Sequence, residues 1–290
     1  MDGSTAQSIR LEINSLKNLP ALPEASLRIL EAINTPDIPI DTLAASLALS
    51  PGLVARLLGL ANSAYFARGK HVADIHAAIF QVLGLDLVKS LSLAIVFNVH
   101  FDTGRCESFD TEYFWTRSLL TAVTAQKLAA ETPLTQTFSP STIYTCGLLL
   151  DLGILVLGFL APERLHAIFS ESHQKGLTVG ELIVRDLGQS HFQLGYFLLQ
   201  KWRLPDLYQN VLQQYESAEE SGELLKLVSL MRICRQLSAC LVMGKPIETI
   251  DFAAAEAQLD LSLETIASIA ETLLASQSEI EMLASIMGRG

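Results

Sequence analysis

Apolar residues recur at helical spacing along nearly the whole chain, and this feature restricts the fold more than any other. In Pro23 to Asn34, Leu27, Leu30 and Ile33 form one stripe, while Glu24, Arg28 and Glu31 fall outside it. Ser50-Pro51 is a helix start: serine caps, proline takes the first helical position, and Leu53, Leu57, Leu58 and Leu60 follow. Gly84 is expected to close a helix around Ile75 to Leu83, and Asp86 to cap the next, running to about His100. Asp102 to Asp110, DTGRCESFD, is the clearest polar break. After it, Asp110 can cap a long helix, TEYFWTRSLLTAVTAQKLAAE, and Ser139-Pro140 repeats the start signal. Thr178/Glu181, Ser190/Gln193 and Ser276/Glu279 have capping-box spacing. Pro205 can begin a further helix, and helical patterns follow over 222–243, 262–275 and 277–287. No window alternates strongly enough to predict a strand, and no repeat or sustained heptad is present. The expected architecture is all-α: a two-lobed helical bundle with an N-terminal lobe over residues 1–105 and a larger C-terminal lobe over residues 106–290.

Half of the 290 residues are apolar and 18% are charged, enough to build a sizeable core. The formal charge of −11, with no run of Lys or Arg, is a poor footprint for phosphate backbones. No nucleic acid is therefore expected as a partner, and the helix pairs 40–49 and 51–62 are read as core packing rather than DNA recognition. The most apolar stretch, Cys146 to Pro162, is short for a membrane span, contains Asp151 and ends at a proline, so it reads as a core helix. The N-terminus has no basic region followed by an apolar one, as a signal peptide would. Cys106, Cys146, Cys234 and Cys240 lack metal or disulfide spacing and read as reduced thiols. A cytoplasmic location is expected.

The usual catalytic signatures are absent from the sequence: no phosphate-binding glycine loop, no G-x-S-x-G elbow, and no pair of histidines at i,i+4 among the six. Asp151 stands out as a carboxylate in an otherwise apolar helical segment. Burying it unpaired is costly, so it needs a partner. A helix kink, a salt bridge and a metal ligand all satisfy that need.

Several segments together resemble a known family. Leu19-Pro20-Ala21-Leu22-Pro23-Glu24 resembles the opening motif of HDOD domains, the HD-related output domains of bacterial signalling proteins. Leu57 to Phe66, LLGLANSAYF, is similar to a second signature, and Ala78-Ile79 with Leu83-Gly84-Leu85 to a third. Gly147 to Gly153, GLLLDLG, resembles the segment that in the family reads G-L-L-H-D-I-G. His191, Leu194-Gly195 and Trp202-Arg203-Leu204-Pro205 resemble the later H-x-x-L-G and W-x-L-P stretch. The likeness spans about residues 15–245 and implies an HD-like C-terminal lobe.

Active members of the wider HD superfamily are metal-dependent phosphohydrolases whose histidines and aspartates hold a divalent ion that activates water. The resemblance places that set here with losses. Arg117 stands where the first histidine is expected, in Trp115-Thr116-Arg117-Ser118. Leu150 replaces the histidine of the His-Asp dipeptide, leaving Asp151; His191 is kept. The paired histidines that follow fall near Tyr215-Glu216, and the last aspartate near Arg232. A leucine cannot ligate, and an arginine keeps its proton and repels a cation. Arg117 is expected to pair with Asp151 and to replace the missing metal charge.

The resemblance therefore implies a regulatory signal-transduction protein with no catalytic residues and no cofactor. It would bind a separate signalling protein or a small signal such as a nucleotide, and act in trans because the two lobes take up the whole chain. The alternative is a metal-dependent phosphohydrolase or cyclic-nucleotide phosphodiesterase with a rearranged site and a divalent metal. Asn62, Ser63, Tyr65 and Phe66, at a helix end, are a candidate interaction surface; a helix C-terminus packed between helices is the plainer explanation of them and the one favoured.

Overall fold

The structure, a computed structural model, describes residues 22–67, 69–216 and 222–288. Leu19, Pro20 and Ala21 of the opening motif lie outside the described residues. In chain order the helices are α1 (Glu24–Asn34), α2 (Ile40–Leu47), α3 (Pro51–Ala61), α4 (Ala64–Ala67), α5 (Ile75–Ala77) running into a π-helix (Ala78–Leu83), α6 (Leu85–His100), α7 (Thr111–Ala130) and α8 (Pro140–Leu149). Then follow α9 (Leu152–Leu160), α10 (Pro162–Lys175), α11 (Val179–Leu187), α12 (His191–Lys201), α13 (Asp206–Gln214), α14 (Glu223–Met243), α15 (Ala253–Leu259), α16 (Leu263–Ala275) and α17 (Gln277–Gly288). No strand occurs among the described residues, as the periodicity predicts.

Contacts divide the chain into two compact units, neither continuous in sequence. The larger holds residues 22–99, 112–148 and 222–288; the smaller holds 100–111 and 149–216. This partition differs from a single boundary after residue 105. The polar break at 102–110 lies in the smaller unit, nearly all of α7 and α8 belong to the larger, α9 to α13 to the smaller, and the last four helices to the larger again.

Local signals act where the chain alone can satisfy them. Ser50 Oγ accepts from Leu53 N, and Pro51 opens α3. Thr178 and Glu181 form a reciprocal capping box at α11, and Ser190 Oγ accepts from Gln193 N at the start of α12. Two cap expectations are corrected. Ser276 follows the end of α16, and its hydroxyl donates back to the Thr272 carbonyl instead of serving Glu279. Asp86 is a first-turn residue of α6, and its Oδ2 accepts from Ser141 Oγ at 3.1 Å. Gly84 does end the preceding segment, at a φ of +81°, which favours glycine. That segment closes as a π-helix, a form that arises as a local bulge and has no distinct apolar period.

The larger unit packs around Trp115. Its indole N–H donates to Asn98 Oδ1 at 2.8 Å, and Asn98 Nδ2 donates to the Met287 carbonyl at 3.1 Å, tying α6, α7 and α17 together. Thr121 and Ser238 share a 2.7 Å hydrogen bond between α7 and α14. All four cysteines are free and buried, and burial pushes the Cys146 thiol up to about 12.

The smaller unit is built on α9, whose residues Leu152 to Gly158 are all buried. In it Phe101 stacks on Trp202, with centroids 5.5 Å apart and planes 22° apart, and meets Phe159 edge-on. On its surface Arg185 grips Glu171 through two bonds of 2.7 and 2.8 Å. Across the two segments α8 and α9, 89% of the most apolar window between Pro140 and Leu160 is buried, as in a core helix.

Candidate functional site: a buried Asp–His pair

The apolar run does not continue through Asp151 as one helix. It breaks at Leu150–Asp151, and Asp151 becomes the N-cap of α9 with φ −93° and ψ 12°. An N-cap aspartate ordinarily accepts from the first turn of its own helix. Asp151 makes no such bond. Its Oδ1 lies 3.0 Å from His191 Nε2, across to α12. Both residues are buried, at 6% and 2% exposure. Where Asp151 is ionised its carboxylate only accepts, and the imidazole then donates from Nε2.

Sequence explains how each partner arrives. Ser190 caps α12, which makes His191 its first residue. Gly153 lets α9 and α12 approach: a Cβ there would fall on the His191 carbonyl, with its carbon at 2.6 Å and Gly195 N at 3.0 Å. Gly195, on α12, is the matching small residue: its own hypothetical Cβ would lie 3.4 Å from Gly153 N. The His191 ring lies 3.9 Å from that of Phe192, which stacks in turn on Tyr215 at 3.9 Å. Tyr215 is where the resemblance places a further histidine; here it completes an aromatic wall.

Leu150, at 1% exposure, brings no donor to the pair. Two donors can share a cation, but a catalytic metal usually takes at least three protein ligands and keeps an open position for water. No cluster of three His, Cys, Asp or Glu suited to a metal exists among the described residues. The described residues do not fit a catalytic divalent metal.

Arg117 belongs to the larger unit, on α7, where its guanidinium carbon sits 6.0 Å from the Tyr113 ring centroid. The Asn62 to Phe66 segment is also there. Asn62 clasps the backbone of Val72, donating to its carbonyl at 2.8 Å and accepting from its N–H at 2.9 Å. Ser63 Oγ donates to the Leu60 carbonyl at 2.6 Å. Both are thus engaged in holding the end of α3. Tyr65 and Phe66 meet edge-on at 4.9 Å and are half-buried. Gly153, inside the GLLLDLG segment, gives no sign of this role in the sequence, because nothing local marks a glycine as a helix crossing.

The HDOD domain profile matches residues 19–218. The chain belongs to the HDOD family. A protein of undetermined character from Treponema pallidum (strain Nichols) is 30% identical over 213 residues, covering 72% of this chain; the match takes in only 39% of that longer protein. Among solved structures, a candidate signal transduction protein from Marinobacter aquaeolei VT8 superposes with a TM-score of 0.80 at 22% identity, over 99% of this chain and 67% of that one. A candidate phosphohydrolase from Shewanella amazonensis SB2B gives 0.75 at 22%, over 97% and 98%. An HDOD domain protein of unknown function from Geobacter sulfurreducens gives 0.72 at 23%, over 99% of both chains. At these identities the likeness to the solved structures is one of fold, and it extends the HDOD architecture to nearly the whole chain.

Proposed function

We propose that this HDOD protein is a non-catalytic regulator that works by binding a separate signalling protein. The observation that carries this reading is the Asp151–His191 hydrogen bond beside Leu150. The residues left from the HD set pair with each other through His191 Nε2 and Asp151 Oδ1, and a leucine takes the sequence position of the lost histidine. In the sequence, Arg117 takes the place that the resemblance gives to the first histidine, and an arginine offers a metal no lone pair. Such a site keeps the fold's shape and gives up its means of activating water.

The phosphohydrolase reading is favoured by the description of the Shewanella relative and disfavoured by the count of donors here. The expected outcome of a partner search follows from the binding role. The tagged chain, cross-linked in its native cells and isolated, recovers a discrete protein at near-stoichiometric yield. That protein, purified, then binds the chain in calorimetry with a saturable 1:1 isotherm. Recovery of nothing above background, or no binding between the purified pair, contradicts the proposal.

A further inference from the structure

The larger unit contains a cavity of about 540 Å³ that lies outside the Asp151–His191 site. Its volume falls in the range of small-molecule pockets. Leu119 and Val123 from α7 and Ile280 and Leu283 from α17 line it, and all four are buried. Tyr65 and Phe66, the aromatic pair of the family signature, also line it, as do Leu83 and Gly84 at the end of the π-helix. No Lys, Arg or His lines it among the described residues; its single charged group is Asp86, on α6.

Tyr144 gives this space a specific chemistry. It lines the cavity and is only 4% exposed. Its hydroxyl makes no hydrogen bond to any described residue. Burial, and then the neighbouring Tyr65, hold that hydroxyl protonated far above the usual tyrosine range. With no described residue to meet it, that hydroxyl must find its partner in the open space of the cavity. Ser90, which also lines the cavity, differs: its hydroxyl is taken by Thr145 at 2.6 Å.

We infer that this cavity is a binding site for an uncharged small molecule with an apolar body and one hydrogen-bonding group that meets the Tyr144 hydroxyl. The apolar floor supplies the affinity and Tyr144 the orientation. With Asp86 in the lining and no cation among its described residues, the pocket disfavours phosphates and nucleotides. Such a ligand would serve the proposed regulator as a signal. The inference stands on the cavity alone, so probe binding and partner capture can fail separately.

The test uses N-phenyl-1-naphthylamine, an uncharged fluorophore with one N–H, titrated into the full chain. The expected result is saturable 1:1 binding with a blue-shifted emission. Tyr144→Phe, which removes only the hydroxyl, weakens binding by roughly tenfold while melting is unchanged or raised. Val123→Phe, which fills the cavity, removes binding; its helicity and melting are checked by circular dichroism. The sulfonated analogue 8-anilinonaphthalene-1-sulfonate binds more weakly than the uncharged probe. Non-saturable binding overturns the site, as does full affinity in both Tyr144→Phe and a folded Val123→Phe. Equal affinity for the sulfonate overturns the uncharged ligand class.

Discussion

Gly153→Ala is expected to destabilise the protein by at least about 3 kcal/mol, lowering the melting temperature by roughly 6–12 °C. The added Cβ would meet backbone, the carbonyl of His191 and the N–H of Gly195, and not the flexible end of a side chain. Only a separation of α9 from α12 can relieve that overlap, and separation pulls apart the most buried surface of the smaller unit. Gly52→Ala in α3 is the matched control, because nothing lies within 4 Å of its Cβ position. An alanine there should leave stability unchanged or raise it by up to about 1 kcal/mol through helix propensity. Circular dichroism melts of the two variants check this. A Gly153→Ala protein that melts with the parent would show that the helices do not cross as closely as described.

The second large effect concerns the Asp–His pair itself. His191→Ala takes the Nε2 donor of this bond away from the buried Asp151 carboxylate and is expected to cost about 3–5 kcal/mol. Asp151→Ala leaves an imidazole, which stays neutral more cheaply, and should cost about 1–3 kcal/mol. The double variant should cost less than the sum, with a coupling of about 1–3 kcal/mol. Urea unfolding of all four proteins closes the cycle. Additivity within about 0.5 kcal/mol would mean that the 3.0 Å contact contributes no net stability.

The features legible in the sequence were those that a short stretch of chain settles for itself. Helical spacing, the Ser50-Pro51 start and the Thr178/Glu181 box need only neighbours, and each appears where expected. Asp151 was legible as a costly carboxylate in need of a partner. The break beside it was not, because apolar residues continue on both sides of the turn. His191 could be chosen over the other histidines only through the family pattern, since its partner lies 40 positions away. The discontinuous units were hidden for the same reason: they join segments that are remote in the chain. Tyr144 carried no signal at all. A tyrosine in an apolar helix reads as core, and only the cavity beside it sets it apart.

The central claim is that the HD remnant has become a hydrogen-bonded pair that does no metal chemistry. The most direct measurement is metal content by mass spectrometry on the full chain, purified without chelator. It is followed by incubation with Mn²⁺ and bis(p-nitrophenyl) phosphate. The account predicts metal well below one equivalent per chain and no turnover above the buffer rate, for the parent and for Asp151→Ala alike. One equivalent of bound metal, with phosphodiester turnover that Asp151→Ala and His191→Ala each abolish, would contradict it.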